Sequence, residues 1–133
     1  MSVFIDTSAF LAILNHADQN HVSAKAFWTE LIQNEERIIC TNYILVESFA
    51  LIQHRLGMAA VRAYQRSVVP ILEVAWLEPE DHRAAVSLVL TANRWDLSLV
   101  DCASFDTMRR LAIETAFTFD PHFSEQGFIC LPS

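Results

Sequence analysis

The sequence predicts an α/β fold in which a mostly parallel sheet of four to five short strands is flanked by helices in three layers. Short apolar runs of three to five residues alternate with longer stretches of helical periodicity. Two glycines and four prolines in 133 residues are too few for a turn-rich all-β protein. With 53% hydrophobic and 19% charged residues, the chain suits one core, so residues 1–133 are interpreted as a single domain.

The elements of the first half follow from apolar spacing and from helix caps. Val3–Ile5 is an unbroken apolar run, as expected of a strand covered on both faces. Thr7 or Ser8 offers a helix N-cap, and Gly57 offers the left-handed residue that commonly ends a helix. The predicted elements are a strand at Val3–Ile5, helices at Phe10–Leu14 and His21–Gln33, a strand at Ile38–Cys40, and helices at Tyr43–Leu56 and Met58–Val69.

The second half continues the alternation. Pro70 stops the preceding helix, and Pro79 suits the first turn of the next one. Ser98 and Asp101 have the spacing of a capping box at a helix start. The predicted elements are a strand region from Ile71 toward Trp76, a helix that begins around Pro79 and continues through Ala84–Leu90, a helix at Ser98–Ala112, a strand at Phe117–Phe119 and a fifth strand at Phe128–Leu131.

Composition excludes several classes of protein. Glycine-rich phosphate loops of the Walker and Rossmann types are impossible with Gly57 and Gly127 alone. The net charge of −7 favours a basic partner or divalent cations. Three cysteines without CxxC spacing indicate reduced thiols. With no N-terminal signal and apolar runs of only about four residues, we expect a cytoplasmic protein without a membrane segment.

Four acidic residues stand in apolar sequence, with no lysine or arginine within four positions of any of them. Asp6 and Asp120 follow predicted strands, and ligands collect at the carboxyl ends of parallel strands. On a helix, Glu47 has Tyr43, Ile44, Ala50 and Leu51 as neighbours, so its carboxylate projects into an apolar stripe. Asp101 lies on a similar stripe.

Bringing such acids together requires a cation. An ionised carboxylate buried without a partner costs several kcal/mol, and two of them about 4 Å apart repel by roughly 4 kcal/mol. Mg²⁺ and Mn²⁺ prefer carboxylate oxygens and water, and such sites can supply a nucleophilic water and a Lewis acid to a phosphodiester. The pattern therefore predicts an acidic Mg²⁺ pocket that hydrolyses phosphate esters.

Each acid also has a structural alternative. Asp6 and Asp120 are suitable helix caps, Asp101 is suitable for the capping box, and Glu47 is able to pair with a distant arginine. Asp106 is different, because Arg109 and Arg110 lie three and four residues further along the helix. It also lies about 140° around the helix from Asp101, so both cannot line one pocket.

Four segments that span nearly the whole chain form a pattern around the isolated acids: Phe4–Ser8, Thr41–Ser48, Ser98–Phe105 and Ala116–Phe123. Gly127-Phe128 and Leu131-Pro132 near the end of the chain fit the same pattern. In these segments the sequence resembles the PIN-domain family, and within it the VapC-type toxin ribonucleases of toxin–antitoxin pairs.

The resemblance implies that the whole chain is one PIN domain, a Mg²⁺- or Mn²⁺-dependent endoribonuclease. Asp6 and Asp101 would be direct metal ligands, Glu47 would ligate or act through water, and Asp120 would complete a second metal position. Thr7 or Ser8 would hydrogen-bond a metal-bound water. RNA, either tRNA or rRNA, would be the substrate, a cognate basic antitoxin the inhibitor, and a homodimer the assembly. The alternative is a catalytically weak metal-binding module whose main role is the antitoxin complex.

Other residues near these acids allow two interpretations. His122 is either a general acid or base beside Asp120 or a structural loop histidine. The arginines Arg94, Arg109 and Arg110, with Arg62 and Arg66, are either a phosphate-binding rim or solvated helix faces. The tryptophans Trp28, Trp76 and Trp95 are assigned to core or dimer contacts rather than to base stacking.

Two other phosphate-handling α/β classes fit poorly. A phospho-accepting receiver domain requires an acidic pair after the first strand and a late lysine, but Asp6 stands alone and the sole lysine is Lys25. A haloacid-dehalogenase-like phosphatase requires Asp-x-Asp, which Asp6-Thr7-Ser8 does not provide.

Overall fold

A five-stranded, all-parallel sheet forms the centre of the computed structural model, which describes all 133 residues. The predicted α/β class is confirmed. The strand order is β3-β2-β1-β4-β5, with every neighbouring pair parallel. The strands are β1 (Ser2–Ile5), β2 (Arg37–Thr41), β3 (Glu73–Ala75), β4 (Thr115–Phe117) and β5 (Ile129–Leu131).

Seven helices flank the sheet. None of them combines the length and apolarity needed to cross a bilayer. They are α1 (Thr7–Leu14), α2 (His21–Gln33), α3 (Asn42–Leu56), α4 (Met58–Ala63), α5 (Pro79–Ala92), α6 (Leu99–Arg110) and α7 (Pro121–Glu125).

Strand β1 lies in the middle of the sheet and is fully covered. Val3, Phe4 and Ile5 have no exposed surface, as the unbroken apolar run predicts. Phe4 is in register with Ile39 of β2 on one side and with Ala116 of β4 on the other. The chain builds β2 and β3 on one side of β1 and then returns to build β4 and β5 on the other. The carboxyl ends of β1 and β4 therefore flank the topological switch point, where ligands bind in open parallel sheets.

Two predicted elements differ from the structure between Met58 and Ala75. The helix predicted over Met58–Val69 is α-helical only to Ala63 and continues as a wider π-helical turn over Tyr64–Val68. Tyr64 is buried there, and its hydroxyl lies 2.7 Å from the Ser48 hydroxyl of α3, so a tertiary contact accompanies the change in helical pitch. A 3₁₀ turn follows over Val69–Ile71, so β3 begins at Glu73, two residues after the predicted Ile71.

Strand β4 ends two residues before the predicted Phe119. The Phe119 N–H donates to the Ser8 hydroxyl at 2.9 Å instead of to a neighbouring strand. Asp120 then caps α7, a five-residue helix that the apolar pattern did not predict because it is too short to show periodicity. Asp120 thus lies three residues beyond its strand, whereas Asp6 follows β1 directly.

An aromatic cluster holds α7 against the sheet. Phe123 is buried, with ring centroids 6.3 Å from Phe4, 5.0 Å from Phe105 and 6.5 Å from Phe128. These contacts join α7 to β1 and α6, and they fix the helix that begins next to Asp120.

Truncation of this ring tests the importance of the cluster. Phe123→Ala should lower the free energy of unfolding by about 3–5 kcal/mol, because it leaves a cavity among three aromatic rings. Phe49→Ala is the control. Phe49 of α3 is 38% exposed, so this substitution should lower the free energy of unfolding by about 1 kcal/mol or less. Urea denaturation in the presence of EDTA measures both changes, and similar costs for the two variants would contradict this account.

Candidate active site

Asp6 occupies the switch point directly after β1. Its N–H donates to the Phe117 carbonyl of β4 at 3.3 Å, and its side chain caps α1. The carboxylate is 5% exposed. Oδ1 accepts from the Ser8 hydroxyl at 2.7 Å and from the Ala9 N–H at 3.2 Å, while Oδ2 accepts from the Thr118 hydroxyl at 2.9 Å. The predicted capping role and a binding role are therefore compatible.

Burial dominates the electrostatics of Asp6. It raises the pKa of this carboxyl from 3.8 to about 7 despite the lowering effect of the three hydrogen bonds, and the negative charge of Asp120 raises it further. No lysine or arginine forms an ion pair with it. The ionised form of Asp6 consequently lacks a positive partner among the side chains of the chain.

A second group lies beside Asp6, formed by Asp101, Asp120 and His122. One potential ligand atom from each lies within 4.8 Å of the others. Asp101 is in the first turn of α6, where Oδ2 accepts from the Ser98 N–H at 3.1 Å in the predicted capping box. Burial raises the pKa of Asp101, and the charge of Asp120 adds to the effect. The negative charge of Asp120 raises the pKa of both Asp6 and Asp101, so the two groups of acids are electrostatically coupled.

His122 is held between two carboxylates. Its Nε2 lies 3.3 Å from Asp96 Oδ2. Its Nδ1 lies 2.9 Å from Asp120 Oδ1, but this buried atom has no partner with hydrogen-bond geometry. Burial lowers the pKa of the imidazole, but the Asp96 hydrogen bond and the charges of Asp120, Asp96 and Asp101 outweigh it, and the net shift is upward.

The loop between α5 and α6 supports this histidine. Arg94 donates to Asp96 through Nε at 3.1 Å and Nη2 at 2.8 Å, and it also pairs with Glu125 of α7. Arg94, Asp96, His122 and Glu125 thus join the loop to α7.

Glu47 lies at the periphery of this arrangement. It is half-buried on α3, and its Oε1 accepts from the Thr7 hydroxyl at 2.7 Å. Thr7 follows Asp6 in sequence, so α1 links the two acids. Glu47 is nevertheless outside the group of ligand atoms within 4.8 Å. No arginine pairs with it, so the alternative of a distant ion pair is wrong.

The donor set fits a divalent, oxygen-preferring ion. Potential ligand atoms of Asp101, Asp120 and His122 lie within 4.8 Å of one another, and the charge of Asp120 acts on the neighbouring Asp6 carboxyl. Mg²⁺ and Mn²⁺ favour carboxylate ligands, and Mn²⁺ also accepts imidazole. Ser8 and Thr7 donate to Asp6 and Glu47, and their hydrogen bond to a metal-bound water stays a prediction.

Sequence patterns missed several members of the site. Asp96 carries no local signal, because only the fold brings the α5–α6 loop to α7. Arg94 was considered for a phosphate-binding rim, but its ion pairs with Asp96 and Glu125 were not predicted. Thr118 lies two residues before Asp120 and binds Asp6 across 112 positions of sequence. His122 was identified, but its contact with Asp96 was not predicted.

Three of the five arginines considered for a phosphate-binding rim contact other residues of the chain. Arg94 is neutralised by two carboxylates, Arg109 binds Gln126 and lies over the Phe128 ring, and Arg110 pairs with Asp81. Of the three tryptophans, Trp28 is buried in the core. Trp76 is 68% exposed and Trp95 is 99% exposed, so neither belongs to the core, and their assignment to dimer contacts stays a prediction.

The fold and the site define a class of α/β domain with acidic residues at the switch point of a parallel sheet. The PIN-domain model matches residues 3–129. The chain therefore belongs to the PIN-domain family, as its sequence segments indicate.

Comparison with individual proteins refines this assignment to the VapC toxins. The chain is 30% identical over 128 residues to the 23S rRNA-specific endonuclease VapC20 of Mycobacterium tuberculosis, covering 96% of this chain and 95% of that protein. The crystal structure of that VapC20, described as a sarcin–ricin-loop-cleaving toxin, superposes with a TM-score of 0.85 at 27% identity and 96% coverage of both chains.

A more distant structure shares the fold alone. A chain of VapBC2 from Rickettsia felis, bound to a promoter DNA fragment, matches with a TM-score of 0.71 at 12% identity, covering 98% of this chain and 97% of that chain.

The raised pKa of Asp6 predicts a pH-dependent cost. A carboxyl with a higher pKa in the folded chain destabilises the fold as pH rises, because the unfolded chain releases its proton first. In EDTA, Asp6→Asn should therefore be more stable than wild type by about 2–4 kcal/mol at about pH 8, and by less than about 1 kcal/mol at about pH 4.5.

Urea denaturation at both pH values measures this difference. Asparagine keeps the Oδ1 acceptor for Ser8 and Ala9, and its amide is able to donate to the Thr118 hydroxyl, so the cap is retained. At about pH 8, Mn²⁺ should make wild type more stable than Asp6→Asn, because it should bind and stabilise the wild-type protein only. An Asp6→Asn protein that is less stable than wild type at about pH 8 in EDTA would contradict the account.

Proposed function

We propose that this chain is a divalent-metal-dependent endoribonuclease and the toxin of a toxin–antitoxin pair. The observation that carries the proposal is the convergence of Asp6, Asp101 and Asp120 at the switch point without a lysine or arginine partner. Membership of the VapC toxins supports it.

The proposed ligands are Asp6, Asp101 and Asp120, and a ring nitrogen of His122 lies within 4.8 Å of carboxylate oxygens of Asp101 and Asp120. Glu47 is proposed to take part from the periphery, through its second carboxylate oxygen, since Thr7 binds only Oε1. A Mg²⁺ or Mn²⁺ ion bound there would stabilise charge on the phosphoryl oxygens and lower the pKa of a water that attacks phosphorus.

The chain's own contribution is orientation. Ser8, Thr118 and the Ala9 N–H fix both oxygens of Asp6, so the carboxylate is held before any ligand binds. Asp96 Oδ2 lies 3.3 Å from His122 Nε2 and thereby restrains the imidazole ring beside Asp120. Ser98 fixes Asp101 through the capping box.

The substrate class follows from the relatives. VapC20 is named for 23S rRNA and for the sarcin–ricin loop, and the chain covers nearly all of its length. We therefore propose large-subunit rRNA, with the sarcin–ricin loop as the first substrate to test and tRNA as the comparison. A basic VapB-type antitoxin suits the net charge of −7, and a homodimer is the proposed assembly.

Substitution of the proposed ligands tests the reaction. Asp6→Asn and Asp101→Asn should each slow Mn²⁺-dependent cleavage of a sarcin–ricin-loop hairpin at least about 100-fold, because loss of a supporting residue alone commonly costs 10- to 100-fold. Asp106→Asn is the matched control, since it lies on the same helix α6 about 140° away and should retain activity.

The outcomes separate the two candidate functions. Equal cleavage by wild type and Asp6→Asn would show that the activity belongs to another site or protein. Full toxicity of Asp101→Ala in cells, with antitoxin binding intact, would favour the metal-binding interaction module over the nuclease.

A further inference from the structure

Trp95 is the most exposed large hydrophobic residue of the chain. Its side chain is 99% exposed, in the loop between α5 and α6. An indole that contacts nothing in the folded chain contributes no packing to stability, and large aromatic rings are enriched where proteins bind partners. The position of Trp95 therefore needs an explanation other than the core.

The backbone around this indole is held on both sides. Arg94 precedes it and forms ion pairs with Asp96 and Glu125, while Asp96 follows it and binds His122. Asn93 ends α5 in the left-handed conformation at φ 51° and directs the chain into the loop. The ring is thus presented from a fixed loop, and a tryptophan has only two side-chain torsions to order on binding.

The same contacts place Trp95 beside the active site. Asp96, its direct neighbour in sequence, touches His122, and ligand atoms of His122, Asp101 and Asp120 lie within 4.8 Å of one another. Consecutive Cα atoms are about 3.8 Å apart, so the Trp95 backbone is one residue from a side chain that contacts the site. The indole is 99% exposed and is therefore open to a nucleotide that extends from the site.

Charge makes an aromatic contact important here. The loop arginine, Arg94, is already neutralised by two carboxylates, and the site itself is acidic. Phosphate contacts at this edge would therefore come from a bound metal ion, not from free arginines. Stacking of a base on an aromatic ring is attractive irrespective of these charges.

We propose that Trp95 is a substrate-binding residue that stacks on an unpaired base next to the scissile phosphodiester. This rests on the proposed ribonuclease function and defines its substrate as RNA with splayed-out bases, such as a hairpin loop. Paired RNA offers no free base face to the indole.

Kinetics and binding of Trp95 variants test the proposal. With a sarcin–ricin-loop hairpin RNA and Mn²⁺, Trp95→Ala should raise KM at least 10-fold, within the roughly 5- to 150-fold that corresponds to 1–3 kcal/mol of stacking, with the loss in KM rather than kcat. Trp95→Phe should remain within about threefold of wild type, because it keeps a stacking face. Trp76→Ala is the control, an exposed tryptophan beyond β3 at the other edge of the sheet.

Several results would contradict the proposed stacking of Trp95 on a base. The proposal would be contradicted if Trp95→Ala kept the wild-type KM, or if Trp95→Ala and Trp76→Ala raised KM equally. It would also be contradicted if Trp95→Phe raised KM as much as Trp95→Ala. Normal RNA kinetics combined with loss of neutralisation by the antitoxin would assign Trp95 to a cation–π contact with a basic antitoxin side chain.

The proposed function fails in a different way. If wild-type protein binds the hairpin without cleaving it, the proposed nuclease activity is contradicted. The hairpin affinities of the Trp95 variants would then still test whether Trp95 stacks on a base. Wild-type protein that neither binds nor cleaves the hairpin would overturn both. Melting temperatures equal to wild type confirm that the variants fold.

Discussion

The structure depends on one electrostatic constraint: a carboxylate is buried at the switch point of the sheet without a cationic partner. Asp6 follows the central strand, and its oxygens are held by three donors from α1 and from the segment after β4. Burial raises its pKa to about 7. Buried acids with strongly shifted pKa values cluster at functional sites. The ionised carboxylate has no cationic side chain as a partner, so a bound cation would stabilise it.

The surrounding contacts serve to orient this site. Phe123 anchors α7, which brings His122 to the cluster, and Arg94 and Asp96 join the α5–α6 loop to the same helix. These links involve residues far apart in sequence, and together they would fix the proposed ligand atoms before a metal ion binds. Preorganisation of this type lowers the cost of binding and of charge development during reaction.

The sequence was sufficient for the fold class and for the acids, because buried parallel strands leave unbroken apolar runs and isolated acids stand out within them. It was insufficient for β4 and α7. The N–H of Phe119 bonds to a Ser8 side chain, a contact that no local pattern encodes. Nor does any local pattern show that Arg94 is neutralised by Glu125, or that Asp96, next to the exposed Trp95, contacts His122. Such features arise only when distant elements meet.

The most direct test of the central claim is the location of a bound ion. Crystals grown with Mn²⁺ should show an anomalous peak about 2.1 Å from carboxylate oxygens of Asp101 and Asp120, with Asp6 adjoining it. The peak should disappear in Asp101→Asn and persist in Asp106→Asn. No peak at the switch point at saturating Mn²⁺, or a peak that survives Asp101→Asn unchanged, would contradict the account.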